Sequence, residues 1–146
     1  MNVKEYLKQG RLLDKKINFN LRRLQEMKSG ICSITSPQIR GDKVQTSPDG
    51  DAPFVKALMR VEEMEERINQ QIDMLVDLRK QIDETIHSVS SDEYQMVLLY
   101  RYMENRTWED IGNALGVGKS TVKRWHQDAL LMVKMPEYPI VIRSVW

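Results

Sequence analysis

Six side chains between positions 119 and 127 have the chemistry to meet a polyanion and read it: Lys119, Ser120, Thr121, Lys123, Arg124 and Gln127, preceded by Gly118. Ammonium and guanidinium groups neutralise phosphates, while arginine, glutamine and serine can bond to base edges in a groove. Residues three and four apart share a helix face, so Ser120, Lys123, Arg124 and Gln127 point the same way if this stretch is helical. Val122, Trp125, Ala129 and Met132 repeat at helical spacing and form the expected buried side.

The residues upstream supply what must hold such a helix. Thr107-Trp-Glu-Asp110 has the spacing of a capping box, in which Thr107 accepts from the amide three residues on. Ile111 and Leu115 follow on one face. Gly116 falls where a helix end needs a left-handed residue, and Val117 provides an apolar anchor after it. Set against the twenty-residue helix-turn-helix template from Trp108, the apolar positions are Ile111, Leu115, Val117, Val122 and Trp125. Gly112 supplies the small residue at the crossing and Gly116 the turn. All seven positions are satisfied, and the cations gathered on the second helix favour a DNA-reading pair over one that only packs.

Other chemistries fare worse. GVGKST (116–121) superficially suits a phosphate loop, but the first glycine it requires would stand at Asn113, and no strand precedes it. His126 is expected on the recognition helix at a phosphate or in solvent, and His87 at a surface. The carboxylates of Glu62, Glu63, Glu65 and Glu66 spread over several helix faces, as on a solvated surface. No catalytic set has suggestive context, so no enzyme activity, cofactor or metal is expected. The single cysteine, Cys32, excludes an internal disulfide and suits a reducing compartment.

Charge is the informative part of the composition. The 146 residues carry a net +1, with a mean hydropathy of -0.51. By segment the balance is +5 over 1–28, -1 over 29–51, -3 over 52–90 and zero over 91–146. Non-specific affinity for DNA grows with the number of phosphates neutralised. A neutral helix-turn-helix segment therefore needs added grip from a second copy or a larger assembly. No apolar run reaches the length of a membrane span and no signal-peptide pattern opens the chain, so a cytoplasmic protein without a membrane partner is expected.

Upstream, residues 2–28 carry apolar residues at three- and four-residue steps, which predicts a helix. Residues 29–51 are rich in Gly, Pro, Ser and Asp and read as a long loop, a plain hairpin connection before a lid or partner-binding loop. Residues 52–88 read as the longest helix, with a seam through Phe54, Leu58, Val61, Glu65, Ile68, Ile72, Leu75, Arg79, Ile82 and Ile86, widened by Met64 and Leu78. The pattern predicts a helical hairpin over 1–88 for self-association or partner docking. A second capping box at Ser90–Glu93 opens a helix over about 91–104. The tail 136–146 is an apolar arm, expected to dock on a neighbour or pair with its symmetry mate.

Residues 91–135, with VLLYRYMENRTWEDIGNALGVGKSTVKRWHQDALLMV at their centre, resemble the sigma-70 region 4 helix-turn-helix, and the whole chain resembles phage-encoded regulators of the ArpU type. The resemblance implies promoter binding, with the second helix in the major groove, often together with RNA polymerase, in late-gene transcription of phages or prophages. It implies DNA-facing roles for Gly118, Lys119, Ser120, Lys123, Arg124 and Gln127. There are departures. Gly118 stands where this family often has a capping serine, Gly112 replaces the usual alanine and loosens the first helix, and Trp125 is bulkier than the usual aliphatic residue. The segments that melt a promoter in a full sigma factor are not matched.

The sequence thus predicts an all-α chain: hairpin 1–88, helix-turn-helix domain 89–135 and arm 136–146, a DNA-binding homo-oligomer that acts with RNA polymerase. Two rival classes share this architecture, a small-terminase-like DNA-packaging subunit and a helical interaction protein that binds no DNA.

Overall fold

Asn2 begins the chain's first helix by reciprocal bonding. The Glu5 amide donates to Asn2 Oδ1 at 2.8 Å, and the Asn2 amide donates to Glu5 Oε2 at 3.2 Å. The computed structural model describes residues 1–34 and 52–142, and every regular element among them is helical. Helix α1 is Val3–Ile34 and α2 is Ala52–His87. Then come α3, Asp92–Leu98, and a π-helical turn, Leu99–Met103. Helix α4 is Trp108–Leu115 and α5 is Lys119–Met132. The predicted all-α class, a helical hairpin followed by a helical C-terminal domain, is the fold observed.

Several details differ from the sequence reading. Helix α1 runs through Ser29 and Gly30 to Ile34, into the expected loop; the remainder of that loop, from 35 to 51, lies outside the described residues. The helix-capping residue at 91 is one position later than read: the Tyr94 amide points to Ser91 Oγ at 3.5 Å. The seam of α2 is also shifted. Val61, Met64, Ile68, Gln71, Leu75, Leu78, Ile82, Thr85 and Ile86 are buried, whereas Leu58 and Ile72 are 41% and 38% exposed. Steps of three and four alternate along either track. Burial chooses the one that includes Gln71, because Asn20 Nδ2 donates to its Oε1 at 3.0 Å inside the packed face.

Contacts divide the chain into two compact units whose limits fall inside the long helices and not at 88/89. One unit comprises 15–72, in which the second part of α1 packs on the first part of α2 through Ile17, Val61, Met64 and Ile68, with Lys28 Nζ 3.0 Å from Glu65 Oε1. The other comprises 1–14 and 73–146. Its core joins Tyr6 and Leu7 of α1, Leu78, Ile82 and Ile86 of α2, Leu98 and Tyr102, and Ala129 and Val133. The boundary moves because Tyr6, Leu78 and Ile82 share one apolar cluster with α5.

The C-terminal arm completes this second unit. Two glutamine side chains hold its backbone as a neighbouring strand would. Gln9 donates to Ile140 O at 2.9 Å and accepts from the Ile142 amide at 2.8 Å, while Gln81 donates to Tyr138 O and accepts from the Ile140 amide, both at 2.9 Å. Ile140 and Ile142 pack against the core, so as far as it is described the arm docks on its own chain, not on a neighbour or symmetry mate.

Candidate nucleic-acid interface

Everything that orients α5 lies within the unit 1–14 plus 73–146. Thr107 caps α4, its Oγ1 accepting from the Asp110 amide at 3.2 Å. Gly116 ends α4 with φ 71°, the left-handed backbone its position predicted. The Val117 amide then donates to Gly112 O at 2.9 Å. A Cβ on Gly112 would stand 2.7 Å from Val117 O. Gly112 is therefore the place where α4 meets the turn backbone directly, and the expectation that it loosens the helix is corrected. Gly118 caps α5 with extended backbone and no side-chain bond, and the Val122 amide donates to its carbonyl at 3.1 Å.

Val97, Ile111 and Val122 form a small buried core under the two helices, flanked by Tyr100, Trp108, Leu115, Val117 and Trp125. Trp125 is half-buried and sits 6.5 Å from the Tyr94 ring, centroid to centroid. Tyr94 Oη in turn reaches Asp128 Oδ2 at 3.4 Å.

His126 points the opposite way from the sequence reading. It is 4% exposed, with Nε2 2.7 Å from Tyr102 Oη and its ring edge-on to Trp108 at 4.7 Å. Burial first, then the charges of Lys4, Arg101 and Lys8, hold its pKa down at about 4. Burial pushes the Tyr102 phenol up to about 12. At neutral pH the phenol therefore donates to an uncharged imidazole. The Arg101 guanidinium lies 4.0 Å from the Trp108 ring centroid and donates to Arg106 O at 2.9 Å. Arg101, Trp108, His126 and Tyr102 thus bolt α5 to α4 and to the π-helical turn.

That turn was not visible in the sequence, which predicted one regular helix here. The Glu104 amide donates to Leu99 O at 3.2 Å and the Arg106 amide to Tyr100 O at 3.0 Å, with Asn105 in left-handed backbone at φ 56°. Asn105 Nδ2 donates to Asp14 Oδ2 at 3.2 Å, and Arg79 Nη2 to Met103 O at 2.6 Å. The wide turn aims Tyr102 inward at His126 and Arg101 across Trp108.

With Val122, His126, Ala129 and Val133 turned inward, the sequence-selected residues fall outward. Gly118, Lys119, Ser120, Lys123, Arg124 and Gln127 are exposed and Thr121 is half-buried. Ser120, Arg124 and Gln127 step by four and three along the centre of the outward face. Leu131, four residues further, continues that line at 86% exposure. Met132, expected on the buried side, is exposed, and Val133 takes its place in the core. Glu109 and Asp110, in the first turn of α4, are exposed as well. Among the described residues no helix is long and apolar enough to cross a membrane.

The chain belongs to the family described as "Protein of unknown function (DUF722)", which matches residues 8–134. No curated protein and no solved structure matches it.

Proposed function

We propose that this chain is a sequence-specific DNA-binding transcription regulator whose α5 enters the major groove. The observation that carries the reading is the sorting of α5: Lys119, Ser120, Lys123, Arg124 and Gln127 all face outward while Val122, His126 and Ala129 anchor the opposite side. A 14-residue helix is about 21 Å long, enough to lie across a groove about 12 Å wide with its N-terminal turns at the base edges. Lys119 and Lys123 hold phosphates; Arg124, Gln127 and Ser120 reach base edges, with Gly118 and Thr121 at the rim.

The resemblance to sigma-70 region 4 and ArpU-type proteins supports the finer reading, a phage or prophage late-gene activator acting with host RNA polymerase in the cytoplasm. Self-association belongs to the same reading. Leu21, Leu58 and Ile72 of the unit 15–72 are more than a third exposed, apolar surface that suits a second copy.

Selection of bound fragments from random DNA, with and without RNA polymerase, tests the reading. The Arg124→Ala variant is expected to lose about 1–3 kcal/mol of discrimination between the selected duplex and a scrambled one, the worth of one bidentate base contact. Equal discrimination by variant and parent would remove Arg124 from the base-reading set, and no salt-dependent retention of any duplex would end the DNA reading.

A further inference from the structure

The charge that a DNA-binding chain needs is not in the unit that carries α5. Residues 1–14 and 73–146 hold twelve Lys/Arg against thirteen Asp/Glu, net -1, whereas residues 15–72 hold ten against eight, net +2. Within 15–72 the positive charge is sorted to one side. The buried seam fixes the register, through Ile17 and Asn20 on α1 and Val61, Met64, Ile68 and Gln71 on α2. On α1, Lys16 immediately precedes Ile17, and Arg23 stands seven residues later. On α2, Arg60 and Arg67 immediately precede Val61 and Ile68, and Lys56 stands four residues before Arg60. A residue just before a seam position lies about 100° to one side of it, and a residue just after lies to the other. In an antiparallel pair the "before" positions of both helices share one side. The Lys28–Glu65 ion pair demonstrates the same for "after" positions, each residue following a seam residue, Met27 or Met64.

Lys16, Arg23, Lys56, Arg60 and Arg67 therefore line one side of the hairpin, and Arg23, Lys56, Arg60 and Arg67 are exposed. Arg23 lies 5.9 Å over the ring of Phe19, which props the guanidinium on the same side. Glu26 and Glu63, which precede the seam residues Met27 and Met64, leave this side net +3. From Lys56 to Arg67 the row spans about 16 Å of helix, a length over which duplex DNA presents roughly nine phosphate charges.

We infer that this side of the hairpin is a second, sequence-independent DNA-binding surface that grips the phosphate backbone while α5 reads the bases. The inference rests on the DNA reading of α5 and adds to it where the affinity comes from. Arginine suits the task because its fork bonds phosphate oxygens in pairs.

The test is a salt titration of full-length protein on its selected duplex and on a scrambled duplex of equal length. For Arg23→Gln/Arg60→Gln/Arg67→Gln, the slope of log K against log salt is expected to shrink by about 2.7, three lost phosphate contacts. Both duplexes are to weaken by the same factor, so the ratio between them holds. The Arg→Lys triple variant retains most of the slope. In the parent, bound DNA is to protect Lys56 from reductive methylation and leave Lys28, on the other side, reactive; this measurement stands even if a variant fails to fold. An unchanged slope, a lowered ratio or an unprotected Lys56 overturns the inference. If the Gln triple loses binding to phosphatidylserine vesicles while its DNA slope is unchanged, the surface belongs to lipid. Failure of the parent to bind any duplex would instead end the α5 reading itself.

Discussion

Replacing Gly112 with alanine should damage this helix-turn-helix, although alanine is the better helix former. The ideal Cβ would lie 2.7 Å from Val117 O, well inside ordinary contact at 3.4–4 Å, and the atom it meets is backbone that cannot swing aside. Its other neighbours, Gly118 C and Val122 Cγ2, are each at 3.6 Å, so the methyl fits everywhere except against that carbonyl. Relieving the clash moves Val117, whose amide is bonded to Gly112 O at 2.9 Å, and with it the start of α5. Overpacking of this kind costs about 1–3 kcal/mol. Against it stands a gain of up to about 1 kcal/mol from alanine's helix propensity.

The net expectation for Gly112→Ala is a loss of about 1–2 kcal/mol, which lowers Tm by about 3–6 °C in a chain of this size. Because the displaced turn sets the approach of α5, discrimination between selected and scrambled duplexes should fall together with Tm. Circular dichroism melts and paired binding titrations measure the two. A variant that melts at or above the parent, with discrimination intact, would refute the argument that α4 and the turn are in backbone contact.

Two further perturbations probe the frame. His126 is held neutral by burial at a pKa of about 4, so the unfolded chain takes up its proton near pH 6.5 and the folded chain does not. Its contribution is therefore complete above pH 6.5 and is lost as pH falls from there towards 4, up to about 3 kcal/mol. His126→Gln, with no proton to gain over that range, should flatten the stability profile between pH 4 and 6.5, and a profile as steep as the parent's would contradict the assignment. In the unit 15–72, Asn20→Leu removes the donor to Gln71 Oε1 at a fully buried site, for an expected cost of about 1–3 kcal/mol. Adding Gln71→Leu should cost less than it does in the parent, as judged by denaturant midpoints, because its bond to Asn20 is already gone. Additive losses in the double variant would show that the two side chains are not coupled.

How much of this was legible in the sequence depended on whether spacing or residue type was allowed to decide. Thr107, Ile111, Gly116 and Val122 were readable because capping, apolar stepping and left-handed backbone each demand a narrow set of residues. His126 was misplaced although the spacing was available: Val122, His126, Ala129 and Val133 step by four, three and four, and only the polarity of imidazole argued against the inward face. Tyr102, its partner, gave no local signal, since the π-helical turn that aims it inward depends on contacts with Asp14 and Arg79, 91 and 24 residues away in sequence. On α2 the apolar residues fit two tracks almost equally, and the decisive residue was a glutamine whose burial depends on Asn20, 51 residues away.

These placements separate what holds α5 from what α5 presents. His126, Val122 and Ala129 anchor the helix from within, and the bonds fixing its approach come from Tyr102, Trp108 and the Gly112–Val117 backbone contact. Arg124, Gln127 and Ser120 take no part in that framework and are exposed. Changing them alters the surface without opening a cavity or orphaning a buried group, so their variants should melt with the parent. A loss of discrimination at Arg124 can then be assigned to the contact itself, whereas the same loss at Gly112 must come with a lower Tm. Measured together, the two substitutions distinguish a helix that reads DNA from one that has merely moved.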